Sequence, residues 1–324
     1  MQRRTFFTGA AAASLAAAQS TTASKLKPGD VPRRKFGKTG VDVSIIGQAG
    51  GRFPMISREE AKAVTLRAYE LGLNYFDNAR LYGNGVSEEI YGEVLAPHRK
   101  ELFLTTKSAL YSRQGAMEDL DKSLKALRTD YVDLWQIHQV GEMKEVEEIF
   151  GPKGSIEAFV QAKKDGKARF IGFTGHRDPA VHLEMLKRFK DYDTILMPLH
   201  PADPHYLSFE KQVLPVAIER GMGIQGMKST ANAKLLSVMA VRDCIRYVLS
   251  QPIHCLAVGC TTVGQIEDDV RIAKEFKPLN QTELSVLQKK AKGVSGAGLE
   301  DWKRSEERAD SGMTYRDGLG LIQA

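Results

Sequence analysis

The sequence is poor in cysteine and has no paired cysteine motif. Its 324 residues include three cysteines, Cys244, Cys255 and Cys260, and no Cys-x-x-Cys pair. An odd number leaves one cysteine over in any disulfide scheme, which argues against a disulfide framework. Cys255 and Cys260 flank a short apolar stretch, where cysteine commonly serves as a small buried hydrophobic residue. We therefore expect chemistry that does not use sulfur.

Long apolar runs are also missing, so we expect no stable membrane span. The weakly apolar stretch 9–18 is short and rich in alanine, and it follows Arg3-Arg4. Together with small residues ending at Ala18 and Ala23, it resembles a twin-arginine export signal, and either position suits cleavage. This resemblance implies the twin-arginine translocation machinery as a partner and a periplasmic or other extracytoplasmic location. A disordered basic leader is the alternative.

An excess of one charge is absent from most of the chain. The net charge is +6, but residues 1–38 hold eight Lys and Arg residues against Asp30 alone, a balance of +7. Subtracting +7 from +6 leaves −1 for the rest of the chain. A balanced body offers no basic face for a polyanion, so nucleic acid is not an expected partner.

Strand-like and helix-like segments alternate along the chain after a linker rich in Lys, Pro and Gly. The β-rich runs are 43–50, 74–79, 102–107, 132–138, 168–175, 194–200, 221–228 and 255–260. The segments with helical spacing of apolar residues are 58–72, 87–99, 117–130, 155–167, 180–192, 209–221, 237–251 and 265–276. Eight such units predict an α/β fold, a (β/α)8 TIM barrel. An open doubly wound sheet would need a Gly-x-Gly-x-x-Gly turn after its first strand, and GQAGGRF does not supply one.

Three regions follow from this reading. Residues 1–32 are the signal peptide and linker, and 33–292 form the barrel. A short β-hairpin is expected within 34–44, around a Gly-Lys-Thr-Gly turn. Residues 293–324 form a C-terminal tail, expected to be irregular or loosely helical and to cover one end of the barrel.

Four polar side chains lie where the predicted strands end. Asp77 ends the second strand, Tyr82 follows in the next loop, and Lys107 and His138 end the third and fourth strands. Strand alternation directs the Asp, Lys and His side chains to the barrel mouth, within about 10 Å of one another. Each alone has a structural explanation, as a turn cap, a solvated lysine or a buried histidine. Their convergence favours a site, because active sites of such barrels lie at this end.

This combination suits reduction of a carbonyl group. Hydride transfer leaves negative charge on the carbonyl oxygen, which a positioned proton donor must meet. Tyr82 is the expected donor, and a lysine cation beside it is expected to lower its pKa. Asp77 would hold Lys107 charged and aimed, and His138 would donate a hydrogen bond to the same oxygen.

The segments 71–95, 102–107, 130–140, 166–176 and 259–270, in this order and spacing, resemble the aldo-keto reductase superfamily. The resemblance covers most of residues 33–290 and includes all four positions of the family's catalytic tetrad, Asp77, Tyr82, Lys107 and His138. It implies a (β/α)8 barrel, an extended nicotinamide cofactor, Tyr82 as general acid, and an aldehyde, ketone or sugar carbonyl as substrate.

The cofactor positions depart from the family pattern. Thr174 and Gly175 stand where the family has Ser-Asn for the nicotinamide carboxamide, and Met227 replaces a stacking aromatic residue. The resemblance implies NADP, with NAD as the alternative. The cofactor-binding residues expected from it are Thr174, Gly175, His200, Met227, Lys228, Gly259, Thr261, Thr262, Gln265, Asp268 and Asp269. The substrate pocket is expected to involve Arg52, Phe53, Tyr111, His200 and the loop 141–154, with the C-terminal tail as a further candidate.

Two other functions remain open at this point. A metal-dependent barrel hydrolase could use His138, His176 and His200 with Asp77, although the first strand carries no His, Asp or Glu. A non-catalytic nicotinamide-nucleotide-binding protein would also agree with the altered cofactor positions. We expect no metal in the reductase reading.

The leader gives a direct prediction. A reporter fused behind residues 1–32 should be exported, and replacement of both Arg3 and Arg4 by lysine should abolish export, because the translocation machinery reads the arginine pair. Reporter activity in the periplasmic fraction measures this. Export that survives the double replacement would contradict the twin-arginine interpretation.

Overall fold

The computed structural model describes residues 31–303, so the expected signal peptide and most of the C-terminal tail lie outside the described residues. An antiparallel hairpin, β1 (Arg33–Lys35) and β2 (Asp42–Ser44), precedes eight parallel strands that close into a barrel in chain order. The predicted (β/α)8 barrel with a short hairpin is confirmed. The barrel strands are β3 (Ile46–Ala49), β4 (Tyr75–Asp77), β5 (Phe103–Ser108), β6 (Val132–Ile137), β7 (Ala168–Thr174), β8 (Thr194–Pro198), β9 (Gly223–Met227) and β10 (Cys255–Val258).

Helices surround the barrel. They are α1 (Arg58–Glu70), α2 (Val86–Leu95), α3 (Arg113–Leu127), α4 (Met143–Phe150), α5 (Ser155–Lys164), α6 (Pro179–Arg188), α7 (Phe209–Gln212), α8 (Leu214–Glu219), α9 (Val241–Leu249), α10 (Val263–Lys274) and α11 (Gln281–Lys292). The predicted helix 209–221 is divided into α7 and α8, with Pro215 in the first turn of α8. Proline has no N–H to continue a helix, and this favours the break. α4 and α11 were not among the predicted helices.

The predicted first strand, 43–50, is two strands. Its first part belongs to the hairpin, where Val43 pairs with Arg34, and its second part pairs with β10 and β4 inside the barrel. Asn74 stabilises the junction between these two strands. Its side-chain oxygen accepts from the Ser44 N–H at 2.8 Å, and its amide donates to the Asp42 carbonyl at 2.8 Å.

The end of the barrel opposite the predicted site is closed by aromatic side chains. Phe36, from the hairpin, is fully buried and packs edge-to-face on Phe103 and Tyr75, with ring centroids 5.3 and 6.0 Å apart. Tyr75 and Phe103 are themselves stacked at 5.5 Å. This apolar layer leaves the polar strand ends at the other mouth of the barrel.

None of the helices within residues 31–303 combines the length and apolarity that crossing a membrane requires.

Candidate active site

The four predicted tetrad residues lie together at the carboxyl end of the barrel. The Lys107 ammonium donates to Asp77 Oδ2 at 2.7 Å and to the Asn78 carbonyl at 2.6 Å, and both side chains are buried. Thr105, two residues earlier on β5, donates to Asp77 Oδ1 at 3.0 Å. Neighbouring parallel strands thus form a buried ion pair in which both carboxylate oxygens have a partner.

Tyr82 lies over this ion pair. It opens a short 3-10 turn, Tyr82–Gly85, and its partly exposed ring has the Lys107 Nζ 5.1 Å from its centroid. The His138 ring meets it edge-to-face, with centroids 5.6 Å apart. Lysine therefore contacts the face of the phenol ring, and histidine lies beside it.

The expected direction of the Tyr82 pKa shift is wrong. Although Tyr82 is partly exposed, desolvation of its hydroxyl, followed by the Asp77 carboxylate, raises the pKa of Tyr82 well above its usual value. The Lys107 charge is compensated by Asp77, so it does not produce the lowering that a free cation would. Consequently the phenol is held in its protonated form, which is the form that a general acid needs.

His138 is held neutral by the same surroundings. Burial, and then the Lys107 cation, lower the pKa of His138 well below its usual value. The backbone fixes its position, because its N–H donates to the Ser108 carbonyl at 2.8 Å and its carbonyl accepts from the Tyr111 hydroxyl at 2.9 Å. Tyr111, expected in the substrate pocket, is thus a buried support of the histidine.

Thr174 and Gly175, which stand at the family's carboxamide-binding positions, lie in a closely packed part of the barrel. Thr174 ends β7 and is buried, and Gly175 follows it. A Cβ on Gly175 would lie 2.1 Å from the Val140 carbonyl oxygen and 2.7 Å from a carbon of the His182 ring. The asparagine of the family pattern therefore cannot occupy this position unless the backbone shifts.

Basic side chains gather on the opposite side of the mouth, at the ends of β9 and β10. Lys228 follows β9, and burial, followed by the nearby Arg52, lowers its pKa to about 8. Lys234 contributes further positive charge, whereas Asp301 opposes the lowering. The Arg52 stem crosses Gly259, where a Cβ would lie 2.8 Å from Arg52 Cγ. Crowding of positive charge at one place is a feature of sites that receive an anion.

The start of α10 adds N–H groups at this side. Thr262 caps the helix by accepting from the Gln265 N–H at 3.2 Å, and Gln265 Oε1 accepts from the Thr261 N–H at 2.7 Å. Asp268 is exposed and pairs with Arg271. Asp269 is buried and lies 3.3 Å from the Cys260 sulfur, so the two acids lie in different environments.

The sequence model of the aldo/keto reductase family matches residues 46–238. The chain belongs to the aldo/keto reductase family. L-galactose dehydrogenase from Arabidopsis thaliana is 27% identical over 303 residues, which cover 80% of this chain and 93% of that relative. Aldo-keto reductase YhdN from Bacillus subtilis is 31% identical over 200 residues, 55% of this chain and 56% of the relative.

Solved structures show the same fold. Aldo-keto reductase AKR11C1 from Bacillus halodurans, in its holo form, has a TM-score of 0.70 at 23% identity, covering 83% of this chain and 99% of that one. An aldo-keto reductase from Klebsiella pneumoniae in complex with NADPH has a TM-score of 0.66 at 18% identity, covering 81% and 95%.

In this aldo/keto reductase the C-terminal segment 299–303 is packed beside the basic group. The Lys303 ammonium donates to Asp203 Oδ1 at 2.7 Å and to the Tyr206 carbonyl at 2.8 Å, and it also pairs with Glu300. Glu300 Oε1 lies 3.1 Å from His200 Nε2, and all four side chains are fully buried. His200, expected at the cofactor, therefore has its ring against this segment.

Trp302 connects the segment to the cleft. Its ring lies 4.8 Å from the Lys228 ammonium and 5.9 Å from the His200 ring, and it is largely buried. Sequence reasoning placed a tail at one end of the barrel but did not identify Trp302, Glu300 or Lys303. The sequence signal for this segment is the mixture of apolar and charged residues at 299–303, directly after the Gly-rich stretch 293–298.

The hydrolase alternative expected His138, His176 and His200 with Asp77 as metal ligands. Within residues 31–303, the group of side chains close enough to share a metal is a different one, His200, Asp203 and Glu300. The Lys303 ammonium lies among these acceptors and pairs with both carboxylates. The chain therefore already supplies a cation to these carboxylates.

Phe53 was expected to line the substrate pocket. It is instead buried in the core, where its ring packs on Tyr91.

Replacing Lys303 by methionine should release the C-terminal segment. The change leaves the Asp203 and Glu300 carboxylates buried without their cation, and breaking a buried pair in this way costs about 3–5 kcal/mol. Trp302 is one of two tryptophans. The other, Trp135, is stacked on Phe159 in the barrel shell, so a red shift of tryptophan emission would report on Trp302.

The matched control is Lys292→Met, because Lys292 is exposed at the end of α11. It should leave the tryptophan emission and the urea midpoint of unfolding unchanged, whereas Lys303→Met should lower that midpoint. Equal behaviour of the two variants would contradict the anchoring role of Lys303.

Proposed function

We propose that the protein reduces an aldehyde or ketone with NADPH, with Tyr82 as the general acid. The observation that carries this proposal is the position of the Tyr82 phenol in the barrel mouth, between the His138 ring and the Asp77–Lys107 ion pair. Family membership and the named activities of the relatives support it. A sugar carbonyl belongs among the first substrates to test, since one relative is named an L-galactose dehydrogenase.

The side chains divide the work around one carbonyl oxygen. A bound dihydronicotinamide would supply the hydride. Tyr82 holds a proton on its Oη and transfers it to the oxygen as negative charge develops there. His138, neutral and fixed through its backbone, orients the carbonyl by hydrogen bonding. Lys107 lies beside the phenolate that remains, and Asp77 keeps the ammonium in place.

We propose that the phosphates of NADP lie at the basic side of the mouth. Lys228 and Arg52 would meet the pyrophosphate, and the N–H groups of Val263 and Gly264 in the first turn of α10 offer a further anion contact. Thr174 would contact the carboxamide, because Gly175 has no side chain to do so. NAD shares the pyrophosphate, so NAD remains the alternative cofactor.

We also propose export through the leader as a periplasmic enzyme. Free nicotinamide cofactor is scarce outside the cytoplasm. The enzyme would then leave the cytoplasm folded, with its cofactor already bound.

The phenol hydroxyl is the first group to test. Tyr82→Phe should retain the fold and bind NADPH as tightly as the parent protein, while turnover falls by about 10²–10⁴-fold, because only the transferable proton is lost. Cofactor fluorescence titration and steady-state reduction of an aldehyde, ketone and sugar panel measure the two effects. Unchanged turnover would remove Tyr82 as the acid. Cofactor binding by the parent protein with no turnover on any panel member would instead favour the non-catalytic binding protein.

Cofactor affinity should depend on the charge of Lys228. Its pKa of about 8 means that the ammonium is present below that pH and is lost as the pH rises through it. Arg52, Lys234, Asp301 and His176 are the charged and titratable groups that influence or face it. We therefore expect the dissociation constant for NADPH to rise by about tenfold between pH 7 and pH 9, because phosphate binds only the charged form.

Fluorescence titration at both pH values measures this change. Lys228→Met should bind more weakly at pH 7 and lose the pH dependence. NADH should show the same trend, since the pyrophosphate is common to both cofactors. A parent protein with equal affinity at pH 7 and pH 9 would rule out Lys228 as the phosphate contact.

A further inference from the structure

The loop that carries Tyr82 is held by one arginine. Arg80 donates from one guanidinium nitrogen to Glu88 Oε2 at 3.0 Å and from another to the Asn84 carbonyl at 3.1 Å. Its backbone N–H donates to the Lys107 carbonyl at 3.1 Å. Arg80 therefore ties the strand that carries Lys107, the far side of the Tyr82 turn and the following helix to one another.

Glu88 is the fixed end of this connection. It lies in the first turn of α2 and is fully buried. Its Oε1 accepts from the Thr106 hydroxyl at 2.6 Å, and the Ser123 hydroxyl on α3 bonds the same carboxylate. Thr106 and Lys107 are consecutive on β5, so their side chains point to opposite faces of the strand, Thr106 to Glu88 and Lys107 to Asp77. In the sequence, Glu88 is only the second residue of the predicted helix 87–99.

The turn between Tyr82 and α2 has an unusual backbone. Gly83, Asn84 and Gly85 all have positive φ, at 60°, 51° and 97°. Such a conformation is costly for a non-glycine residue and persists where surrounding contacts over-determine it. A Cβ on Gly85 would lie 2.0 Å from an Arg80 guanidinium nitrogen, so the guanidinium occupies the space that a side chain would need.

We propose that Arg80 and Glu88 are positioning residues for the general acid. The pair holds the turn that places the Tyr82 hydroxyl at the barrel mouth, so its loss leaves Tyr82 present but misplaced. The inference rests on the proposed role of Tyr82 and adds the two residues that act through it.

A purely structural role would have a different signature. Removal of Arg80 leaves the fully buried Glu88 carboxylate without its cation, so a loss of stability is expected under either role and does not distinguish the two. If the pair served the fold alone, its removal would lower activity equally with and without a functional Tyr82. If it positions Tyr82, its removal should matter only while the phenol hydroxyl is present.

The test is a double-mutant cycle with Arg80→Met and Tyr82→Phe. We expect Arg80→Met to lower kcat by about 10- to 100-fold, with an unchanged dissociation constant for NADPH, because a misplacement of about 1 Å has effects of this size. In the Tyr82→Phe background the same change should have no further effect. Arg80→Lys keeps a cation but not both side-chain contacts, and should give an intermediate kcat.

Arg58→Met is the matched control. Arg58 forms ion pairs with Glu89 and Glu93 on the same helix α2, away from the Tyr82 turn. This variant should keep the parent kcat, and its thermal midpoint should lie above that of Arg80→Met, because only the Arg80 replacement leaves a fully buried carboxylate without its cation.

The outcomes separate the two proposals. An active Tyr82→Phe protein would overturn the role of Tyr82, and with it this inference. An inactive Tyr82→Phe protein, with Arg80→Met either at parental kcat or equally harmful in both backgrounds, would overturn the positioning role alone. Should Arg80→Met fail to fold, Glu88→Gln decides by the same cycle, since glutamine keeps an acceptor for Thr106 but places an amide toward Arg80.

Discussion

The buried ion pair between Asp77 and Lys107 is the interaction on which the site depends. Its two partners come from neighbouring strands, and each has a second fixed contact, Thr105 to the carboxylate and the Asn78 carbonyl to the ammonium. Two buried charges are tolerated here because each compensates the other and their remaining hydrogen-bonding capacity is used. The cation is thereby kept under the Tyr82 ring instead of being released to solvent.

Burial, reinforced by this pair, favours the neutral form of both groups above it. Burial and then the Lys107 cation lower the pKa of His138. Burial and then the Asp77 carboxylate raise the pKa of Tyr82. A protonated phenol and an uncharged imidazole can each donate a hydrogen bond to a carbonyl oxygen without bringing a net charge into the mouth. The arrangement is therefore poised for reduction, in which the oxygen gains charge only during the reaction.

The fold and the convergence of Asp77, Lys107 and His138 could be predicted from the sequence because both depend on short-range periodicity. Strand alternation is sufficient to direct Asp77, Lys107 and His138 inward, and eight alternations are sufficient to close the barrel. The pKa of Tyr82 could not be read in this way, because it depends on burial and on how completely Asp77 compensates the lysine. Lys303 and Asp203 are 100 residues apart, and no local pattern pairs them. Glu88 was hidden for a different reason: an acid in the first turn of a helix is favoured by the helix dipole wherever it occurs.

The departures from the family pattern have a common direction. At the end of β7, close packing of Gly175 on Val140 leaves no room for a side chain that could hold a carboxamide. At the opposite end, Lys228 is surrounded by Arg52, Lys234 and the Trp302 ring, and Trp302 is held by a segment anchored through fully buried charges. Side-chain contact is thus limited where the reacting ring would lie, and positive charge is concentrated where we propose the phosphates. An enzyme arranged in this way would draw its cofactor affinity mainly from charge, and the C-terminal segment beside that charge would influence how firmly the cofactor is retained.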